Sequence, residues 1–416
     1  MGFLEKRVTA ALLSAIRIQR QTRSHSSGLR RAGHSRVPRS ARLREALFSD
    51  FTGVADLKRS WGLTPDSLEN WERFWRRNPA LQRMETQPPM GWVLESDGEI
   101  VGYLGNISVL YQYGDRQLTA AISHGMVVRP EYRAASLSLV SAFYRQKAAD
   151  LYLVTTAIEA VGKLARAFKS RALPQPNYDS VLFWVVEPNA FAKVLMKKLR
   201  AGPAIAYLGM GITTAAAQID KMVRRRVPKA CVNAVSIRQI ELADIGDDFQ
   251  RLWSDKVKEK TQLLSDRDPG TLKWHFSIPD DNGTVGVLCC HRDGALVGYT
   301  IIRHEAPNQI TGLRRSLIAD TLIKQDDRQV LKALWAAAYD EAKRAGSHVL
   351  EVLGFPDVIR QACAEWNPYI RKYPAYPFYY RAADPVLHEV FAKEAAWYVS
   401  PFDGDTTLVN FGTESE

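Results

Sequence analysis

The sequence predicts a mixed α/β protein with two tandem copies of one unit, each a mostly antiparallel central sheet flanked by helices. Three observations lead to this prediction. The chain has 416 residues, which is long for one core and suits two domains of roughly 150–200 residues. A near-identical heptad occurs twice, 196 residues apart, as DGEIVGY at Asp97–Tyr103 and DGALVGY at Asp293–Tyr299. The segments around the two heptads also follow one another in the same order.

The two heptads predict β-hairpins. Each Asp-Gly pair lies between apolar runs, WVLES and IVGYLGNISVL in the first copy and VGVLCC and LVGYTIIRHE in the second. A two-residue hairpin turn needs positive φ angles, which Asp and Gly tolerate. We therefore expect two antiparallel strands around each Asp-Gly pair.

The flanking segments extend the repeat. Upstream, LREALFSD at Leu43–Asp50 parallels IRQIELAD at Ile237–Asp244, and both predict a short strand that enters a helix. Downstream, the strands AAISHGMVV and SLIADTLI each precede a long helix, and Arg133 and Arg328 lie 195 residues apart. This spacing is longer than the period of a solenoid repeat, so it indicates duplicated domains.

Three regions follow from this pattern. Residues 1–42 form a basic arm, residues 43–230 the first domain with its linker, and residues 231–416 the second domain. The boundary near residue 230 follows the basic, proline-containing stretch KMVRRRVPK at Lys221–Lys229, which is typical of a linker.

The charge distribution argues against nucleic-acid binding. Of the formal net charge of +11, residues 1–44 carry +10, so the rest of the chain is close to neutral. A nucleic-acid-binding domain is expected to present basic residues over a folded face. The arm has three open interpretations: an organelle transit peptide, a helix on an anionic membrane surface, or an unordered extension.

Cysteine usage and hydropathy suggest a reducing compartment and no membrane span. No apolar run reaches the roughly 18–20 residues that cross a bilayer. The four cysteines show neither a disulfide framework nor metal-ligand spacing, so we expect reduced thiols and no metal. We expect a cytoplasmic protein, with organelle import through the arm as the alternative. The cysteines are Cys231, Cys289, Cys290 and Cys363.

The order of elements and the fragment VVRPEYR at Val127–Arg133 resemble the GCN5-related N-acetyltransferase (GNAT) superfamily. In that family a V-x-P-x-Y-R segment leads from the fourth strand into a helix whose amino terminus binds the pyrophosphate of CoA. Unpaired backbone N–H groups and the helix dipole make such a terminus an anion site. The resemblance implies that acetyl-CoA or another acyl-CoA is the co-substrate. The residues it assigns to cofactor binding are Val127, Val128, Arg133, Ala134, Ala135, Ser136, Leu137 and Ser138.

The phosphate-binding turn departs from the family pattern Q/R-x-x-G-x-G/A. Arg133 is present, but Ser136 and Ser138 replace the two glycines, which removes the closest backbone approach. In the second copy the matching turn contains Asp326 and Asp327, whose charges would repel a pyrophosphate. We therefore expect the first copy to hold CoA and the second to have a structural or substrate-shaping role.

The resemblance also implies a base that removes a proton from an amine. On the predicted fourth strand, His124 is the titratable candidate, with Ser123 beside it. Glu95, next to the first hairpin, is a second candidate base. The tyrosine that often protonates the leaving thiolate has no counterpart at its usual position; Tyr178 is the nearest, and the general acid stays unassigned.

The leading prediction is an N-acyltransferase that moves an acyl group, with acetyl expected, from acyl-CoA to a small-molecule amine or amino sugar. One alternative is a catalytically degenerate GNAT-like protein that binds a ligand or acts as a scaffold, which the serine-for-glycine changes favour. Another is a tandem-fold transferase that uses aminoacyl-tRNA. The near-neutral body and the lack of a helical insertion count against it.

Overall fold

The structure is a computed structural model, and it describes residues 40–155, 159–198, 226–229, 235–278, 283–372 and 378–409. Most of the predicted arm, residues 1–39, lies outside the described residues, and so do residues 221–225 of the basic linker. Both interpretations therefore stay predictions.

The described chain alternates strands and helices, with short 3-10 turns between several of them. The strands are β1 Arg42–Glu45, β2 Gly91–Ser96, β3 Glu99–Tyr113, β4 Arg116–Val128, β5 Leu151–Val154, β6 Arg171–Ala172, β7 Ser180–Val185, β8 Ser236–Ile240, β9 Leu263–Ser265, β10 Thr284–Arg292, β11 Ala295–His304, β12 Arg315–Ile323, β13 Val349–Leu353, β14 Tyr369–Lys372 and β15 Tyr379–Ala382. The helices are α1 Phe51–Ser60, α2 Leu68–Trp75, α3 Pro79–Gln82, α4 Ser136–Arg145, α5 Glu159–Ala167, α6 Pro188–Lys198, α7 Asp247–Glu259, α8 Pro269–Phe276, α9 Arg328–Arg344, α10 Asp357–Ala362 and α11 Pro385–Val390.

These strands form two mixed sheets. The first sheet has the order β1-β2-β3-β4-β5-β15-β6, with β9 paired to β3. The second has the order β14-β7-β13-β12-β11-β10-β8. Neighbouring strands are antiparallel except for β4 with β5 and β12 with β13, which are parallel. The predicted fold class, a mostly antiparallel sheet flanked by helices in each of two units, is confirmed.

Both heptads form the predicted hairpins. Asp97 and Gly98 have φ angles of 54° and 77°, and Asp293 and Gly294 have φ angles of 52° and 80°. Two successive residues with positive φ are the signature of the turn that joins strands with a right-handed twist. The first turn joins β2 to β3 and the second joins β10 to β11, so the heptads occupy equivalent places in the two sheets.

The two sheets exchange strands. β7 precedes residue 230 in the chain, yet it lies between β13 and β14 in the second sheet. β15 follows that residue, yet it lies between β5 and β6 in the first sheet. The division into residues 43–230 and 231–416 did not anticipate this exchange, because alternating apolar residues specify a strand without specifying its neighbours.

The long strand β4 is buried on both faces. Ala120 and Ile122 contribute to one core, where they join Trp71 and other residues of α1 and α2. Ala121, on the opposite face, packs with Phe143 of α4. Successive side chains of a strand point to opposite faces, so His124 lies on the face of α1 and α2 and Ser123 on the face of α4.

Candidate active site

Strands β4 and β5 separate after a short parallel contact. The pairing joins residues 120–122 of β4 to residues 151–153 of β5. Just beyond this contact, the pairing of β4 with β3 is irregular. His124 lies opposite Gly105 and Val127 lies opposite Tyr103, so three steps along β4 match two steps along β3. The extra β4 residue makes a β-bulge, at which Gly125 has a φ of 61°. A bulge bends its strand, which accounts for the local divergence of β4 from β5.

A cavity of about 210 Å³ occupies this divergence. The β4 residues Ser123 to Met126 line one side, and Val154 and Thr155 at the end of β5 line the other. Apolar side chains of α4 and α5, among them Phe143 and Leu164, form much of the remaining wall. The arrangement suits an extended, mostly apolar ligand with a few polar contacts.

Helix α4 follows the bulged strand, and its middle and end line the cavity through Val140, Phe143 and Tyr144. A 3-10 turn at residues 130–135 leads into the helix, and no acidic side chain lies in the first turn of α4. Arg133 is exposed on this turn, together with Ala134 and Leu137. The positive end of the α4 dipole is therefore not balanced by a carboxylate in the first turn of the helix.

The other predicted cofactor residues are partly engaged within the protein. The Ser138 hydroxyl donates to the Ala135 carbonyl at 2.6 Å, and the Ser136 N–H donates to the Arg133 carbonyl. Val127 is buried in the core, and Val128 packs against Phe143 and its neighbours. The side chains of Ser138, Val127 and Val128 therefore make contacts within the protein, and contacts to a ligand would come from the backbone.

The equivalent helix of the second sheet begins differently. The Asp327 carboxylate accepts hydrogen bonds from the N–H groups of Gln329 at 2.8 Å and Val330 at 3.3 Å. Arg292 pairs with the same carboxylate at 2.9 Å. The helix terminus that could bind an anion is thus already occupied by an aspartate of the chain.

His124 belongs to a buried polar cluster on the α1 and α2 face of β4. Its Nε2 lies 3.4 Å from Asp66 Oδ2, and that oxygen also accepts a hydrogen bond from Lys58 Nζ at 2.6 Å. The imidazole packs edge-on against Phe74, with 5.4 Å between the ring centroids. If Nε2 carries the hydrogen and faces Asp66, the lone pair on Nδ1 can accept a proton.

Asp66 keeps its negative charge in this cluster. Burial alone would raise the pKa of its carboxyl group, but the neighbouring His124 and Lys58 hold that pKa well below its ordinary value. The ionised carboxylate fixes the orientation of the imidazole through its contact with Nε2.

The predicted residues separate into two groups. Ser123 and His124 line the cavity. Glu95 does not: its carboxylate lies 2.6 Å from Arg44 Nε, at the edge where β1 pairs with β2. Tyr178 also lies elsewhere, in the core, where its ring meets Phe378 edge-on with centroids 5.4 Å apart.

Sequence reasoning missed a tyrosine that does line the cavity. Tyr144 stands near the end of α4, and its hydroxyl lies 2.8 Å from Ser170 Oγ. Burial raises the pKa of the Tyr144 phenol, although the hydrogen bond with Ser170 and the charge of Arg381 act in the opposite direction. The phenol therefore keeps its proton at neutral pH and can donate it.

Three further polar residues of the site come from distant segments. Asp66 precedes α2, Thr155 follows β5, and Asp405 reaches the cavity from near the end of the chain. Their only sequence signals are common ones, such as an acidic residue in a loop. The fold alone brings them together.

The described residues show neither a cluster of metal ligands nor a helix that could span a membrane. Within the described ranges, no group of three or more His, Cys, Asp or Glu side chains could hold a metal ion. In the same part of the chain, every helix is too short or too polar to cross a bilayer.

Comparison with known proteins identifies the fold. No protein-family model matches the sequence, and a search of curated proteins also finds no match. The chain is similar to a GCN5-related N-acetyltransferase from Anabaena variabilis ATCC 29413, with a TM-score of 0.51 and 11% identity, over 83% of this chain and 73% of that one. It is also similar to a conserved protein of unknown function from Enterococcus faecalis V583, described as a probable N-acyltransferase. That match has a TM-score of 0.52 and 10% identity, and it covers 82% of this chain and 72% of the other. The chain therefore has the fold of the GCN5-related N-acetyltransferases over most of its length.

Proposed function

We propose that the protein is an acyl-CoA-dependent N-acyltransferase, with acetyl-CoA as the first donor to test and a small-molecule amine or amino sugar as the acceptor. The observation that carries the proposal is the cavity between β4 and β5, which opens where their pairing ends after Ile122 and Leu153. Backbone groups on that edge of β4 can bond to an extended amide-containing chain such as the pantetheine arm of CoA.

The two helix termini favour CoA binding on the first sheet. The first turn of α4 contains no acidic residue, and Arg133 stands exposed beside it. The first turn of α9 is capped by the Asp327 carboxylate. A pyrophosphate would gain from the dipole and the arginine at α4, but it would meet a negative charge at α9.

The side chains around the cavity suit acyl transfer. The amine nitrogen attacks the thioester carbonyl carbon, a C–N bond forms, and the C–S bond breaks as the tetrahedral adduct collapses. His124, oriented by Asp66, accepts the proton that the amine loses. The departing thiolate takes a proton from the Tyr144 phenol, whose hydroxyl is positioned by Ser170. Solvent then returns a proton to Tyr144 and takes the one held by His124, which restores both side chains. The apolar wall excludes water that would hydrolyse the thioester.

Calorimetric titration with acetyl-CoA and with free CoA tests the proposal. We expect micromolar binding to the wild type and a loss of at least 10-fold in affinity for Arg133→Ala. Arg328→Ala is the matched control, because Arg328 is an exposed arginine at the equivalent start of α9. Absence of binding to a folded wild type, or equal losses in both variants, would contradict CoA binding at α4.

A protein that binds CoA without turnover is the second candidate. The Ser138 hydroxyl is engaged by the Ala135 carbonyl, so it does not replace the glycine contact that the phosphate turn lacks. Release of free thiol from acetyl-CoA in the presence of a panel of amines separates the two candidates. Amine-dependent release supports the transferase, and tight binding without release supports the second candidate.

A further inference from the structure

The exchanged strand β15 brings an arginine to the side of the first sheet that carries the cavity. Arg381 lies directly opposite Tyr152 of β5. Tyr152 belongs to the core that α4 and α5 cover, and so does Tyr379, two residues before Arg381. Tyr380, between them, belongs to the opposite core. Because residues two apart on a strand share a face, the C-terminal half of the chain places Arg381 on the α4 face.

The Arg381 guanidinium lies against two phenol rings. Its carbon is 5.4 Å from the centroid of the Tyr144 ring and 5.5 Å from that of Tyr152. Its Nη1 donates to the Phe168 carbonyl at 3.5 Å. Phe168 in turn stacks on Tyr144, with 5.2 Å between the centroids and 11° between the planes. In the part of the chain that the structure describes, these rings rather than a carboxylate are the neighbours of the guanidinium.

Tyr144 carries a negative charge for a short time if it acts as the acid. Burial raises the pKa of its phenol, whereas the hydrogen bond with Ser170 and the charge of Arg381 lower it. A general acid is most effective when its pKa lies near the working pH, so burial alone would make Tyr144 a poor acid. An opposite charge within about 4–6 Å favours the ionised form of a group. The Arg381 guanidinium lies at such a distance from the Tyr144 ring.

The charge of Arg381 has a chemical consequence at Tyr144 rather than at Tyr152. Of the two phenols, Tyr144 is the one that lines the cavity. The Tyr152 hydroxyl donates instead to the carbonyl of Gln146 at 2.7 Å. Arg381 supplies a positive charge that no accessible pH removes. Two other titratable residues line the same cavity as Tyr144, namely His124 and Asp405.

We propose that Arg381 stabilises the phenolate that forms when Tyr144 gives its proton to the departing thiolate. The inference rests on the proposed function and adds a positioning residue to it from the C-terminal half of the chain. The electron pair of the breaking C–S bond stays on sulfur, the phenol proton moves to sulfur, and the negative charge appears on the Tyr144 oxygen. Arg381 acts through Tyr144 and does not itself line the cavity. The strand exchange thus completes the acid of the first sheet.

The ionisation of Tyr144 tests this inference without any substrate. 3,5-Difluorotyrosine, whose phenol is more acidic than that of tyrosine, replaces Tyr144 in the full chain, and its ¹⁹F NMR signal is followed against pH. Arg381→Gln should move the titration midpoint upward by about 1 pH unit, because the phenolate loses its neighbouring cation. Arg381→Lys keeps a cation and should recover at least half of this shift.

Arg166 offers a matched control in the same wall of the cavity. Its guanidinium lies over the ring of Tyr379, 5.5 Å from the centroid, and donates to the Tyr379 hydroxyl. Arg166→Gln therefore removes an arginine from a tyrosine ring without removing the charge beside Tyr144. The ¹⁹F midpoint should stay at the wild-type value. Thermal unfolding of each variant verifies that it is folded.

Thiol release from acetyl-CoA with a saturating amine gives a second readout that a merely structural role would not move. In Arg381→Gln we expect kcat at pH 7 to fall by about 3–10-fold, because the acid is weaker. The alkaline limb of the kcat profile should move to higher pH, because the phenol keeps its proton longer. Arg381→Lys should restore both. The KM for acetyl-CoA should change little.

The outcomes separate this inference from the proposed function. Equal ¹⁹F midpoints in the wild type and Arg381→Gln, or an equal shift in Arg166→Gln, would overturn the role of Arg381. A fluorinated phenol that stays protonated until the wild type unfolds would overturn it as well. A lower kcat without a shift of the alkaline limb would reduce Arg381 to a packing residue. Absence of thiol release from a folded wild type would overturn the proposed function, and the inference with it.

Discussion

His124 and Asp320 occupy equivalent positions in the two sheets, 196 residues apart. His124 lies opposite Gly105 in the β3–β4 ladder, and Asp320 lies opposite Ile301 in the β11–β12 ladder. The first position holds a histidine that lines the cavity and whose imidazole contacts Asp66, and the second holds a fully buried carboxylate paired with Arg267. The same place in the repeat thus holds a histidine in one sheet and, in the other, an aspartate that anchors the buried segment of residues 397–408, the C-terminal strap.

Replacing His124 tests its role as the base. In His124→Gln we expect kcat to fall by about 10²–10⁴-fold, because the substituted amide cannot accept the proton of the amine. CoA affinity should change little. The measurement is thiol release from acetyl-CoA with a saturating amine, and His291→Gln on β10 is the control. A kcat close to the wild-type value would exclude His124 as the base.

The pH dependence of stability should reveal the lowered pKa of His275. Burial, together with the charges of Arg73, Arg267 and Arg303, lowers the pKa of this imidazole, and Nε2 lies 2.9 Å from Thr407 Oγ1 of the strap. The unfolded chain takes up a proton at His275 near pH 6.5, while the folded chain does not. The free energy of unfolding is therefore highest above that pH and decreases as the pH falls below it. The expected loss is up to about 1.4 kcal/mol per pH unit.

Urea unfolding of the wild type and of His275→Gln between pH 8 and pH 5 measures this effect. The free energy of unfolding of the wild type should decrease more steeply below pH 6.5 than that of the variant. Parallel curves for the two proteins would show that His275 does not have a lowered pKa.

Gly404 and Gly294 have nearly the same φ angle but different surroundings, so their alanine variants can be compared. Gly404 has a φ of 81°, and a Cβ there would lie 2.5 Å from Thr155 Cγ2. Gly294 has a φ of 80° and open space around its Cβ position. We expect Gly294→Ala to cost about 1 kcal/mol from backbone strain and Gly404→Ala about 2–4 kcal/mol, because overlap is added to strain.

Denaturant unfolding of both variants checks the difference. Equal destabilisation by the two substitutions would contradict the close approach of the strap to Thr155.

The strand exchange makes a prediction about fragments. If residues 40–230 and 231–416 are produced separately, the first lacks β15 and β9, and the second lacks β7 from the interior of its sheet. Unpaired backbone groups at these places destabilise both pieces. We expect each fragment alone to show little cooperative unfolding and the mixture to recover it. Two independently folded fragments would contradict the exchange as a requirement for stability.

The fold could be predicted from local signals, but the site could be predicted only in part. The hairpins followed from Asp97-Gly98 and Asp293-Gly294, because a two-residue turn imposes its own backbone requirement. His124 could be found because it is the titratable residue on the predicted long strand. Asp405 could not be found, because its position at the cavity depends on a turn-rich segment whose path is set by Arg267 and by contacts between the sheets. Glu95 was a weaker candidate because proximity to a hairpin in sequence does not fix the distance to a cavity.

A crystal structure of the complex with CoA tests the central claim most directly. We expect the pantetheine arm between β4 and β5, the pyrophosphate at the start of α4 near Arg133, and the thiol in the cavity that His124 lines. CoA bound at the start of α9, or outside the cavity between β4 and β5, would contradict it.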